Sequence, residues 1–338
     1  LLDTQNSTYL PIKQNKKIEI VIIPAIENLA INRKNVGIEL NENLILEILL
    51  KNYENVIITT IQTENDLKAL VKRKPDLVFS GVKYFHFDDK EIWLSDYLRK
   101  NNIDYITSNK EALANEYFKD NAKNIVKDAN INTAKFFTTQ PDEHPTESSL
   151  PVTFPLFLKP ITGGDSRGIN PESVVFDFKK YQAKVLDIFE TQKSRTLVEN
   201  YLSGKEYSVS ILENKSKNIL MILPVEIIAV KNKNGHRILD NEVKNNLEEV
   251  IEVSDKKIHK ELCTIALNSF RALNGKTIGR IDIKTSYKGV LHFIEANLMP
   301  ELENGYYSRS FLLNDMDYEQ MILRIADAGI VVPQVAEF

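Results

Sequence analysis

The residues of this chain best placed to do chemistry lie between Thr277 and Glu303, TIGRIDIKTSYKGVLHFIEANLMPELE. Gly279 to Lys284 alternates polar and apolar residues. A strand with that alternation sends Ile281 and Ile283 to one face and Arg280, Asp282 and Lys284 to the other. Tyr287-Lys288-Gly289 supplies turn residues, and a second strand, Val290 to Asn297, is expected to carry Leu291, Phe293, Glu295 and Asn297 on one face. Paired as a hairpin, the strands set Asp282 beside Glu295, with Asn297 one side-chain step beyond. Two carboxylates and an amide oxygen around one point are hard donors, suited to Mg²⁺ (or Mn²⁺) carrying phosphate oxygens. Arg280 beside them can steady the charge that develops during transfer. On spacing alone, the pattern fits equally an amphipathic hairpin whose polar face is merely solvated.

A second group lies upstream. Phe154 to Pro160 reads as a strand ending in Lys159 and a proline, followed by the small, flexible loop Ile161-Thr162-Gly163-Gly164-Asp165-Ser166-Arg167-Gly168-Ile169. Glycines such as Gly164 let backbone N–H groups approach phosphate oxygens closely, and the ammonium of Lys159 neutralises their charge. Taken alone, an ordinary hairpin explains this loop as well.

Gly279-Arg280-Ile281-Asp282, then Ile294-Glu295-Ala296-Asn297 with Pro300 after it, resembles the metal-binding signature of the ATP-grasp enzymes, above all the D-alanine–D-alanine ligases. Lys159, Pro160 and the loop through Ser166 resemble the phosphate loop of the same enzymes. The resemblance then implies further roles. Lys119 is the first nucleotide-binding lysine. Glu199 is an acidic position of the nucleotide site, the connector Asn200-Tyr201-Leu202 reads the adenine edge, and Glu206 holds the ribose hydroxyls. Lys244 reaches the phosphates, and Arg280, Lys244 and Ser166 are the expected catalytic groups. The amino-acid half of the pattern departs. Lys83 and Tyr84 stand where the ligases have a His-Gly pair, Asp165 stands at a small or hydroxyl position, Asn245 replaces a closing aromatic, and Glu301 replaces a glycine after Pro300.

The elements that must hold these residues form an α/β chain. Lys17–Ile23, Val56–Ile61, Asp76–Val82 and Ile103–Thr107 read as strands alternating with helices at Ile38–Leu50, after Thr63, and at Lys90–Asn101, which argues an open parallel sheet. Thr63 with Asp66, and Ser108 with Glu111, read as capping boxes, the latter opening a helix to about Asp128. Ser254 is expected to cap a helix ended by Gly275. A last helix, Tyr318–Ala328, is expected to finish the C-terminal part. The expected division is an N-terminal open α/β domain over 1–107, a central ATP-grasp subdomain over 108–204, and a C-terminal subdomain with the metal site over 205–338.

At 338 residues, 43% hydrophobic, 27% charged and with a formal net charge of −4, the chain has the composition of a globular protein with several cores and no basic patch for nucleic acid. Ile219–Val230, its longest apolar run, is interrupted by Pro224 and Glu226 and falls short of the ~20 residues of a membrane span. Lone Cys263 in a helical run reads as a core residue in a reducing, cytoplasmic compartment. Leu1–Lys17 lacks signal-peptide order and reads as a trimmed or flexible lead-in, leaving room for a longer parent chain. The five histidines are scattered, His144 included, and carry no metal reading. The expected cofactors are ATP and the divalent metal. Expected partners are a small-molecule carboxylate and an amine of amino-acid type, with a homodimer as the one protein–protein option. Three functions fit: a carboxylate–amine ligase, a nucleotide-binding module without turnover, or a small-molecule kinase.

Overall fold

The computed structural model describes residues 13–22, 36–87, 90–164, 166–231, 235, 237, 239 and 249–331. Asp165, Lys244 and Asn245 lie outside them, as do residues 1–12 of the lead-in. Two compact units result: Leu1–Ile106 with Asp317–Phe338, and Thr107–Met316.

In the first unit, β1 (Gln14–Ile22), β2 (Tyr53–Thr60), β3 (Leu77–Ser80) and β6 (Asp104–Tyr105) form a parallel sheet in the order β2-β1-β3-β6. The helices between them are α1 (Glu42–Asn52), α2 (Glu64–Arg73) and α3 (Leu94–Lys100). Val21, Val78, Leu67, Leu70 and Leu98 share the core. Thr63 and Asp66 make the expected capping box of α2. Lys90–Trp93, expected to open a helix, instead forms β5, pairing with β4 (Tyr84–Phe87). Aromatic cross-strand contacts account for this, Trp93 meeting Tyr84 at 5.1 Å between ring centroids.

The helix Tyr318–Gly329 also belongs to this unit, not to the C-terminal subdomain where its position in sequence put it. Its Asp317–Gln320 capping box starts it, and Met321, Ile322 and Ile325 are fully buried. Gly329 lies so close to Leu77 that a Cβ there would come within 2.8 Å of a leucine methyl.

The second unit opens with α4 (Lys110–Tyr117) and α5 (Lys119–Asp128), a pair rather than the single helix expected. Phe118 is extended between them and bridges Thr162, while the Lys119 N–H donates to Ile161 O at 3.0 Å. The break therefore ties the helix pair to the glycine loop. Capping also moves by one residue: Asn109 caps α4, leaving Ser108 to accept the Lys276 N–H, and Asp255 rather than Ser254 caps α7 (Lys256–Ala272).

One antiparallel sheet contains β7 (Phe136–Thr139), β8 (Leu156–Pro160), β9 (Val174–Val175) and β10 (Thr196–Asn200), ordered β7-β10-β8-β9, with α6 (Phe178–Gln192) against it. The other contains β11 (Glu206–Asn214), β12 (Ile219–Ile228), β13 (Val250–Val253), β14 (Thr277–Thr285) and β15 (Leu291–Asn297), ordered β13-β12-β11-β14-β15. Val209, Ile211, Ile281, Ile283 and Phe293 are completely buried on the α7 side of this sheet. Each contributes on the order of 2 kcal/mol by burial. Its opposite face carries the polar residues considered next. Among the described residues no helix is long and apolar enough to cross a membrane.

Candidate active site

Three strands build the polar face by register. On β11 and β14, Glu206 lies opposite Lys284, Ser208 opposite Asp282 and Ser210 opposite Arg280. On β14 and β15, Arg280 lies opposite Asn297 and Asp282 opposite Glu295, but Ile283 pairs with Phe293. A bulge at Ile294 therefore separates Phe293 from Glu295. Strict alternation predicted Leu291, Phe293, Glu295 and Asn297 on one face. The extra residue reverses the parity partway: Leu291 and Phe293 enter the core, while Glu295 and Asn297 join Arg280 and Asp282. Without it, Asp282 and Glu295 would lie on opposite sides of the sheet.

Asp282 is held on two sides. Its Oδ1 accepts from the Ser208 hydroxyl at 2.7 Å and from Arg280 Nε at 3.0 Å, and its Oδ2 from Arg280 Nη2 at 3.0 Å. Burial opposes the Arg280 charge, but Asp282 outweighs it and the guanidinium is held above its ordinary pKa. Asn297 Oδ1 accepts the Met299 N–H at 3.3 Å. A carboxylate has about four acceptor positions, so Oδ2 retains one, as does the Asn297 oxygen. Among the described residues no three His, Cys, Asp or Glu side chains gather as a metal cluster. The donor set is two carboxylates and one amide, which fits a divalent cation that takes its remaining ligands from phosphate and water.

Behind this face is a buried charge chain that the sequence did not disclose. Lys123 Nζ lies 2.7 Å from Glu199 Oε2, a charge contact rather than an aligned hydrogen bond, and Lys159 Nζ lies 3.2 Å from Glu199 Oε1 and 3.8 Å from Glu295 Oε2. The Lys123, Lys159 and Glu199 side chains are at most 4% exposed. Burial alone would drive Glu199 toward its neutral form, but Lys123 and Lys159 outweigh it and lower its pKa. For Lys159, burial is likewise outweighed, by Glu199 and Glu295, and its pKa is raised. Lys123 and Lys119 both fall, burial being the larger influence and Glu199 or Glu295 only partly offsetting it. Lys123 also donates to Thr133 Oγ1 at 2.7 Å, and that hydroxyl donates to Phe293 O at 3.0 Å, which fastens the strand beside the bulge.

Lys119 donates to Gly163 O, and Ser166, at φ 55°, donates to Leu239 O at 3.1 Å, so both anchor the loop at its edges. Open space surrounds the position a Gly164 side chain would take. One open cleft brings together Lys159, Ser166, Glu199, Asn200, Tyr201, Leu202, Glu206, Asp282 and Glu295, with Lys284 and Ile294 also on its wall. Gly204 lets the Tyr201–Lys205 connector lie against the end of β14: a Cβ there would meet Thr285 Oγ1 at 2.1 Å. Arg280 and Asn297 are not among the residues lining the cleft; they face each other in the β14–β15 register next to the Asp282–Glu295 pair.

Past Pro300, Glu301 is exposed. Tyr306, on α8 (Tyr306–Leu312), is buried with Arg280 over its ring at 5.5 Å. Burial and the charge of Glu249 push its phenol well above the ordinary range. Glu249 accepts from Arg309 at 2.8 Å and its side chain is 2% exposed. Sequence reasoning missed Glu249, Lys123, Ser208 and Lys284. The Glu206/Lys284 alternation on paired strands was the signal that could have found the last of these.

Residues 125–327 match the family model described as D-ala D-ala ligase C-terminus. The chain is 28% identical over 258 residues to the D-alanine–D-alanine ligase of Aquifex aeolicus, covering 75% of this chain and 82% of that protein. It is 25% identical over 225 residues to D-alanine–D-alanine ligase A of Brucella suis, covering 64% of this chain and 62% of that protein, less than two thirds of its length. Two solved structures share the fold at 18% identity. D-alanine–D-alanine ligase from Bacillus anthracis, complexed with ATP, matches with a TM-score of 0.65, covering 93% of this chain and 97% of that one. VanG D-Ala:D-Ser ligase from Enterococcus faecalis matches with a TM-score of 0.63, covering 94% and 100%.

Proposed function

The chain belongs to the D-ala D-ala ligase C-terminus family, and from that premise we propose that it is an ATP-dependent carboxylate–amine ligase acting on amino-acid-like substrates other than two D-alanines. The observation that carries the chemistry is the convergence of Lys159, Glu199, Glu206, Asp282 and Glu295 on one cleft. The carboxylate of one substrate attacks the γ-phosphorus of ATP, ADP leaves with the bonding pair, and an acylphosphate forms. The amine of the second substrate then attacks the acyl carbon, phosphate leaves, and the nitrogen loses a proton.

Lys159 and Lys119 neutralise phosphate charge, and Arg280, already oriented by Asp282, faces the negative charge that grows at each transfer. Asp282, Glu295 and Asn297 would hold Mg²⁺, which supplies Lewis-acid neutralisation of the phosphates. Asn200–Leu202 receive the base and Glu206 the ribose. Lys244, outside the described residues, is assigned the remaining phosphate contact by its place in the family pattern, and Ser166 closes the loop.

The departures support a changed substrate. Lys83, Asp165, Asn245 and Glu301 stand where the ligases keep other residues, so the groups that meet the amino-acid substrates are expected to differ. ADP release measured over a matrix of L- and D-amino acids and small carboxylates, with product masses, tests the reading. A peptide-bonded product containing a charged or larger residue is expected. D-alanyl-D-alanine as the main product would refute the substrate claim, and a stable phosphorylated product with no amine requirement would make the chain a kinase.

A further inference from the structure

We propose that Lys284 is a nucleotide-recognition residue that works with Glu206 to read the ribose diol. The inference rests on the nucleotide reading above and adds to it a group which that reading does not use. Lys284 and Glu206 are directly opposite in the β11–β14 register, and Lys284 Nζ lies 2.7 Å from Glu206 Oε2. Their side chains are 15% and 21% exposed, and both line the cleft. Two nearly buried charges thus face a binding space at a point away from the phosphate-side lysines.

Position and chemistry agree on the ligand. Lys284 is two residues from Asp282 on the same face, about 7 Å along the strand. That is a suitable step from metal-bound phosphates to a ribose, and the connector Asn200–Leu202 lies on the same cleft beyond it. A carboxylate only accepts hydrogen bonds and an ammonium only donates them. A sugar hydroxyl does both, so it can donate to Glu206 while its oxygen accepts from Lys284. The pair is therefore complementary to a cis-diol in a way that neither residue is alone. An aliphatic stem reaching out of the sheet to place its charge is ordinary lysine behaviour, and here the stem comes from the cleft wall that Ile294 shares.

Calorimetric titration of the full chain with ATP, 2′-deoxy-ATP and 3′-deoxy-ATP tests this, comparing wild type with Lys284→Met, Glu206→Gln and the double variant. Wild type should bind one deoxy analogue roughly ten- to a hundredfold more weakly than ATP, the range for a hydrogen bond to a charged group. In Lys284→Met that ratio should shrink at least fivefold, and in the double variant it should approach one. A merely structural ion pair would weaken all three nucleotides alike, so an unchanged ratio in a folded Lys284→Met overturns the proposal. If Lys284→Met does not fold, Lys284→Gln is read by the same ratio. Equal wild-type affinity for ATP and both analogues overturns this inference alone. No ATP binding by wild type overturns it together with the ligase reading.

Discussion

In the proposed reading, a phosphate side and an acceptor side of the second unit, the latter around Tyr306 and the segment past Pro300, hold their charges differently. On the phosphate side, Lys123, Glu199 and Lys159 form a chain that is almost fully buried and leads to Glu295 at the cleft. Lys159, Glu199 and Glu295 stand at positions the family pattern names. On the acceptor side, Tyr306 has Arg280 of the Arg280–Asp282 pair over its ring and feels the charge of Glu249, which pairs with Arg309, while Glu301, one of the departures in sequence, is exposed. On this reading the groups assigned to ATP are interlocked by burial, each being the counter-charge of another, whereas Glu301 on the assigned acceptor side is exposed.

The largest effect should come from the face where the two sides meet. Asp282→Asn or Glu295→Gln removes one unit of negative charge without changing volume, and each should lower ADP release ~10²-fold or more. Circular dichroism should show the fold intact, because Ser208 and Arg280 surround position 282 and Glu295 is about one third exposed. Near-normal turnover in either variant would sink the metal site. Stripping divalent metal with a chelator should reproduce the loss in wild type.

Next in size is Lys159→Ala. In the proposed reading the ammonium would meet the phosphates in the ground state, so ATP affinity should fall roughly ten- to a hundredfold along with turnover. Glu199 keeps Lys123 as a partner, so the protein should fold with a lower Tm. Unchanged ATP affinity by calorimetry would reduce the Lys159–Gly168 segment to an ordinary hairpin.

Much of the phosphate side was legible because strands advertise their faces. The alternation of Arg280, Asp282 and Lys284 against Ile281 and Ile283 gave the correct facing of β14, and four strands alternating with three helices gave the parallel sheet. The bulge at Ile294 was not legible, since alternation carries no mark of an inserted residue and Leu291-x-Phe293-x-Glu295 reads as continuous. The buried role of Lys123 was hidden too: a lysine on a helix is usually solvated, and only the fold brings Glu199 and Thr133 to it. Helix Tyr318–Gly329 was recognised as a helix, but its apolar face does not say which unit it will cover.

A smaller and more selective effect is expected at Tyr306. Its ring faces Arg280, and it is not among the residues lining the cleft assigned to ATP. Tyr306→Ser should raise the KM of the amine-bearing substrate about tenfold while leaving ATP affinity within about twofold. Equal loss for both substrates would mean that Tyr306 acts only by supporting Arg280, and the separation of the two sides would fail.

The smallest effect concerns stability and reads the buried chain directly. Glu199 has its pKa lowered from an ordinary value of 4.5, because Lys123 and Lys159 outweigh the cost of burying its charge. A carboxyl lowered on folding stabilises the native state at pH values above its unfolded value, and that contribution drains away as pH falls through the folded value. Glu199→Gln has no such contribution to lose, and it starts from a lower Tm at neutral pH because Lys123 then lacks its counter-charge and Lys159 keeps only Glu295 at 3.8 Å. The two melting curves should therefore lie furthest apart at pH 7 and remain so to about pH 5. They should converge as the pH drops below about 4.5, with the wild type losing more. Thermal melts of both proteins at pH 7, 5, 4 and 3 would show this. A gap that stays constant to pH 3 would mean that Glu199 is not the charge that holds Lys123 and Lys159 together, and the phosphate side would be no more interlocked than the acceptor side.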